Sequence, residues 1–259
     1  MYLRKQWRES RIVSILAAVG LLLLLALVVR GAVAIDTVNF GDAQNHSEGF
    51  GAVFIPIFYV EAVLVGFWGW LIAGIGVGKN LGEESGSFLL TRPRRRAWFL
   101  WSDWGYAMAQ IAIIIALTNL MIGLLVVHIL HRMGLPAVVG MGDVGDTVPV
   151  LVMMVLVSVG VLLFAGLIYG LTYFSTIILK RSIGVMLGAG ILVAYLIVSG
   201  LVHHYYPSVH FPNLIVSLVH VEAHKVTFAN DLALQMVVRA LVVMAFPVAA
   251  QVLLERSEI

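Results

Sequence analysis

The sequence predicts an all-α, polytopic membrane protein with six transmembrane helices and both termini in the cytoplasm. Three observations lead to this prediction: an excess of apolar residues, uncharged runs long enough to cross a bilayer, and an uneven distribution of Lys and Arg. Of the 259 residues, 61% are hydrophobic and 12% are charged, whereas a soluble domain has roughly 45–50% and about 25%. Because so few charges cannot coat a globular surface, soluble enzyme folds are nearly excluded.

The rest of the composition narrows the possible chemistry. The formal net charge is +2, from 16 basic and 14 acidic residues, which gives no argument for binding nucleic acid. The sequence contains no cysteine, so disulfides, thiolate metal sites and iron–sulfur clusters are excluded. Any metal would have to bind through His or carboxylate side chains.

A helix needs roughly 20 residues to cross the hydrocarbon core. Apolar runs of about this length recur six times, the second interrupted by Glu61 and the sixth by Arg239. The first is interpreted as an uncleaved anchor rather than a signal peptide, because it is longer than a signal core and another span follows. The fourth is longer than needed, so it is expected to tilt or to include an external turn around Pro149. The spans, within one domain of residues 1–259, are predicted at about 12–33, 50–78, 103–128, 148–179, 182–202 and 232–254.

The distribution of basic residues predicts the orientation. Twelve of the 16 Lys and Arg residues lie in the amino-terminal arm, between spans two and three, at Lys180-Arg181 and at Arg256. The positive-inside rule places these segments in the cytoplasm. The outer loops are acidic and hold all eight histidines. Residues 1–11 are predicted to form an interfacial helix, and residues 203–231 an outer segment.

Glycines recur within the spans at helical spacing. Such glycines allow helix backbones to approach closely in lipid. They lie between Gly66 and Gly78 and in the pairs Gly166-x-x-x-Gly170 and Gly184-x-x-x-Gly188. We favour packing within the chain, with a subunit interface as the alternative. Two Gly-rich stretches match nucleotide-binding loops only in part. Gly140–Gly145 lacks the flanking strand and helix, and Gly74–Lys79 is not followed by a Ser or Thr residue, so the chain is not expected to bind ATP itself.

Ionisable groups inside the predicted spans need an explanation, because an unpaired charge at the bilayer centre costs at least roughly 2.5–3.5 kcal/mol. Glu61 and Arg239 both fall in the outer halves of their spans, so a salt bridge between them is predicted first. A polar element of a substrate path is the alternative. The spans contain few other polar residues, among them Asn119, Thr172, Ser175 and Thr176.

Histidines crowd the outer segment before the last span. One interpretation is a metal or bis-imidazole haem site, as in the membrane anchor of a redox complex. The other is a set of interfacial histidines, which we favour because a haem anchor needs paired histidines at matched depth inside the bundle. The five histidines are His203, His204, His210, His220 and His224.

The cytoplasmic segment 79–100 combines an acidic pair, a Gly-Ser break, an apolar patch, a proline and three arginines. This composition fits either an ordinary basic loop or a short amphipathic helix on the membrane face, anchored by Trp98, Trp101 and Trp104. The stretch Glu83–Arg96 resembles the cytoplasmic segment of type-2, exporter-like ABC transporter permeases. In that family a coupling helix docks on a separate ATPase. The helix is built from an acidic residue, a Gly with a small hydroxyl residue, and the stretch Leu-Leu-Thr-x-Pro-x-x-Arg.

The resemblance implies the permease subunit of an exporter in the bacterial inner membrane, surrounded by lipid and without catalytic activity of its own. It also implies short helices within the outer segment 203–231. Two such subunits, identical or different, would pair with ATPase subunits that bind ATP and magnesium. The sequence departs from the family pattern in the acidic pair and in Arg94-Arg95. The implied coupling residues are Glu83, Glu84, Ser85, Gly86, Ser87, Leu89, Leu90, Thr91, Pro93 and Arg96.

Overall fold

The computed structural model describes five helices, named α1 to α5 below, four short strands and part of an amino-terminal helical segment. In that segment the described residues are 11, 12, 14–16, 18–20, 23, 26, 27 and 30, all helical. The helices are α1 (Glu61–Gly74), α2 (Pro93–Arg132), α3 (Val150–Leu179), α4 (Arg181–Tyr205) and α5 (Leu232–Arg256). The strands are β1 (Val138–Met141), β2 (Asp146–Pro149), β3 (Val219–Glu222) and β4 (Lys225–Phe228).

Helix α2 shows why these sequences form helices with two apolar faces. It begins at Pro93, where the fixed φ angle and the missing N–H suit a first helical turn. Its buried residues recur at helical spacing, while large apolar side chains on the opposite face are exposed. A helix that is apolar on every side belongs in a large core or in lipid. The buried set includes Leu100, Trp104, Ala107, Ile111, Ile115, Ile122 and Val126, and the exposed set Ile113, Leu117, Leu120, Met121 and Leu124.

Helix α3 forms the centre of the bundle. It contains no Asp, Glu, Lys, Arg or His, and it packs against α2, α4 and α5. Helix α1 also contacts α3, because Gly66 lies against Phe164 and Ile168, and Gly69 against the backbone of Ala165. The hydrophobic core therefore surrounds α3 on several sides.

The glycine pair of α4 lies where α3 and α4 approach most closely. A Cβ atom added to Gly184 would meet the backbone of Thr176, and one added to Gly188 would meet the Thr172 side chain. Gly74 of α1 likewise lies against Val185. The predicted packing of these glycines within the chain is confirmed.

Three helices are long and apolar enough to cross a membrane: Leu100–His128, Val150–Leu179 and Leu234–Leu253. They correspond to the third, fourth and sixth predicted spans and indicate a membrane protein. The predicted fifth span lies within α4, and α1 covers part of the second. Six spans and two cytoplasmic termini stay predictions.

A small sheet corrects the all-α prediction, although helices dominate the described residues. The strand order is β2-β1-β4-β3. Strands β1 and β2 are antiparallel, as are β3 and β4, and the two hairpins join through a parallel pairing of Met141 with Val226. The short helices predicted in 203–231 are wrong at β3 and β4. In β3, Val219 and Val221 alternate with polar residues, and β4 contains the β-branched Val226 and Thr227, so both segments favour extended backbone. The other hairpin supplies a partner edge.

Candidate functional site

The coupling residues predicted from the sequence fall at the start of α2. Pro93 and Arg96 belong to its first turns, so Pro93 begins a helix here, and residues 93–100 continue directly into the third predicted span. At 40 residues, α2 is about 60 Å long. The other coupling residues lie outside the described residues: Glu83, Glu84, Ser85, Gly86, Ser87, Leu89, Leu90 and Thr91.

The start of α2 is bonded to α3 and α5. The Tyr173 hydroxyl donates to the Leu100 carbonyl oxygen over 3.4 Å. The Trp101 indole Nε1–H donates to Gln251 Oε1 over 2.8 Å, and Gln251 Nε2 in turn donates to Glu255 Oε1 over 2.8 Å. These bonds connect the first turns of α2 with the last turns of both neighbouring helices.

We expect Gln251→Leu to lower the free energy of unfolding by about 1 kcal/mol, because the Trp101 indole loses its acceptor. The measurement is unfolding in mixed detergent micelles, followed by circular dichroism. Trp101→Phe removes the donor and serves as the second arm of a double-mutant cycle. If the double variant loses the full sum of the two single effects, the bond contributes nothing.

An aromatic cluster joins α2, α3 and α5 one turn further into the bundle. The ring of Trp104 lies edge-on to Tyr169 and Tyr173, with centroid distances of 4.9 Å and 5.8 Å, and the two tyrosines stack at 5.6 Å. Gly170 leaves room for Phe246 of α5, whose ring would collide with a Cβ atom there. We call these four aromatic residues the aromatic cluster.

A polar pair lies inside the bundle between α1 and α2. Glu61 is 0% exposed and Asn119 is 1% exposed, and the Asn119 side chain lies next to the Glu61 carboxyl group. Apart from each other, neither the Glu61 carboxyl group nor the Asn119 amide has a hydrogen-bond partner among the described residues. Buried polar groups with so few partners are rare in folded proteins.

The predicted salt bridge between Glu61 and Arg239 is not formed. Neither carboxyl oxygen of Glu61 bonds to Arg239, which is buried on α5 and has an interaction of its own. The physical reason is the packing around α3. Helix α1 covers the face of α3 that carries Phe164 and Ile168, whereas α5 covers the nearly opposite face, at Gly166 and Gly170.

A third buried ionisable group, Asp103, was missed because it stands at the edge of the predicted third span. It lies on the buried face of α2 between Leu100 and Ala107, and its Oδ2 atom has no hydrogen-bond partner among the described residues. Asp103 is three residues after Leu100 and four residues before Ala107 in the sequence. The helical period alone could therefore have placed it in the core.

The outer histidines belong to different elements of the part of the chain that the structure describes. His203 and His204 end α4, and His220 lies in β3. His210 and His224 lie outside the described residues. Within the described ranges, no group of three or more His, Asp or Glu side chains is placed to hold a metal ion.

Comparisons with protein families, with curated proteins and with solved structures found no match.

Proposed function

We propose that this chain is the membrane-spanning permease subunit of an ABC-type exporter. A separate ATPase subunit would hydrolyse ATP, and the chain itself would catalyse no reaction. The observation that carries the proposal is the resemblance of Glu83–Arg96 to a permease coupling segment, together with its position directly at the start of α2. A segment that docks on an ATPase must be connected to a helix that moves.

The packing of α2 suits it to transmit such a movement. Its first turns are hydrogen-bonded to Tyr173 and Gln251, and its next turn enters the aromatic cluster. A force applied before Pro93 would therefore act on α2, α3 and α5 together. Rigid-body movement of these helices is a known way to change access to a path through a membrane protein.

The proposed assembly contains two permease subunits, identical or different, and two ATPase subunits in the bacterial inner membrane. The substrate path would run along the interface between the permeases. The few buried polar residues in the bundle, among them Thr172, Ser175 and Thr176, favour a lipophilic or amphiphilic substrate over an ion.

The test is purification of the tagged chain from its native host in mild detergent. We expect an ATP-binding subunit to co-purify and to be lost when Glu83 and Glu84 are both changed to Ala, because the acidic pair contacts the partner. A matched control changes Asp36 and Asp42 to Ala, which removes the same charge in the first predicted outer loop. The control should retain the partner.

The same sample tests the alternative, a haem- or metal-binding anchor of a redox complex. Its visible spectrum and metal content are measured directly after purification. A Soret band without an ATPase would overturn the permease proposal and support a role for the outer histidines. An ATPase that remains bound to the double Ala variant would contradict the proposed docking residues.

A further inference from the structure

The pair of Glu61 and Asn119 has no explanation in the proposed coupling mechanism. A carboxyl and a carboxamide lie side by side in the bundle, and apart from each other neither group has a hydrogen-bond partner among the described residues. A buried polar group without a partner costs roughly 1–3 kcal/mol. The arrangement therefore implies a ligand or a proton that completes it.

No cation among the described side chains neutralises Glu61. Helix α3 has no charged residue. The basic residues of α4 lie at its ends, at Arg181, His203 and His204, and those of α2 lie nine or more residues from Asn119, at 94–96 and at 128, 131 and 132. Neither carboxyl oxygen of Glu61 bonds to Arg239, whose helix α5 covers the other face of α3. Asp103, on the same helix as Asn119, lies about 24 Å away along the helix axis and would repel rather than neutralise a carboxylate.

An ionised carboxylate in this position would be buried without a counter-charge, which proteins avoid by neutralising the group. A carboxylic acid and a carboxamide are also complementary. The acid O–H can donate to the Asn119 carbonyl oxygen, while the Asn119 N–H donates to the acid carbonyl oxygen. A carboxylate can only accept, so it would leave the carbonyl oxygen of Asn119 without a partner.

A proton fits the pair better than a metal cation does. Hard metal cations take about six or more oxygen ligands, whereas this site offers the oxygens of one carboxyl group and one carboxamide. Both side chains are also fully enclosed, which suits the smallest ligand.

We propose that Glu61 and Asn119 form an occluded proton-binding site inside the helix bundle. The proton is held by Glu61, and Asn119 orients the acid. Because α1 and α2 both cover the site, exchange of this proton with the solution requires the two helices to separate. The site goes beyond the proposed coupling mechanism, and it holds its proton whether or not an ATPase is the partner.

The experiment is infrared spectroscopy of the full chain reconstituted in phosphatidylcholine vesicles at neutral pH. A protonated carboxylic acid has a carbonyl stretching band that a carboxylate lacks. We expect such a band in the unmodified protein and its loss in Glu61→Gln, which keeps the shape of the side chain. In Asn119→Leu the band should remain but move to higher frequency, because the acid loses its hydrogen-bond partner.

Asp103→Asn is the matched control, since it neutralises the other buried carboxyl group of the described residues and should leave the Glu61 band in place. A spectrum of the unmodified protein with no protonated carboxyl band overturns the proposal without any variant. A band that persists in Glu61→Gln and disappears in Asp103→Asn also overturns it. Loss of the band when sodium or potassium is added at constant pH would assign the site to a metal cation instead.

Discussion

Gly184→Ala is expected to lower the free energy of unfolding by about 3 kcal/mol, the upper end of the usual cost of overpacking. The added methyl group would meet the backbone of Thr176 and the carbonyl oxygen of Ser175, on the neighbouring helix α3. Backbone cannot rotate away as a side chain can, so α4 would have to move outward along its length. Unfolding in mixed detergent micelles, followed by circular dichroism, measures the loss.

Gly190→Ala is the matched control on the same helix. A Cβ atom at this position meets nothing within 4 Å. The substitution should leave stability unchanged or raise it by up to about 1 kcal/mol, because Ala favours a helix more than Gly does. Equal losses in the two variants would show that the close approach of α3 and α4 does not determine the effect.

Trp104→Ala is expected to lower the free energy of unfolding by about 3 kcal/mol, the lower end of the range for truncating a buried aromatic residue. The lower end applies because lipid or detergent, rather than water, receives the side chain in the unfolded state. Trp104 is 4% exposed, and its ring contacts both Tyr169 and Tyr173. Removing it leaves a cavity where α2, α3 and α5 meet.

Trp98→Ala provides the comparison, since Trp98 is on the same helix and 63% exposed. Its loss should be within about 1 kcal/mol, in line with an interfacial position rather than a core position. The measurement is again unfolding in mixed micelles, with near-ultraviolet circular dichroism as a report on aromatic packing. A similar loss for both tryptophans would contradict the central position of the aromatic cluster.

The features predictable from the sequence are those that depend on local pattern. The spacing of Gly184 and Gly188 predicts a surface for close helix contact, and both residues do contact α3. The long apolar runs predict helices, and α3 follows its run from Val150 to Leu179. In both cases the responsible residues are close together in the sequence.

The features that could not be predicted depend on which elements meet in space. The sequence places Glu61 and Arg239 at similar depth, but depth gives no information about the face of α3 that each helix covers. The parallel pairing of Met141 with Val226 joins segments far apart in the chain. The position of Asn119 beside Glu61 likewise depends on how α1 and α2 pack.

The four-stranded sheet has a mechanical consequence for the bundle. Its first hairpin connects the end of α2 to the start of α3, and its second lies between α4 and α5 in the chain. The backbone pairing of β1 with β4 therefore links the connection between α2 and α3 with the connection between α4 and α5 at one end of the bundle. At the other end, where α2 begins and α5 ends, Trp101 is hydrogen-bonded to Gln251. The helices around α3 are thus held at both ends, so a force applied before Pro93 would tilt them as one body rather than spread them apart.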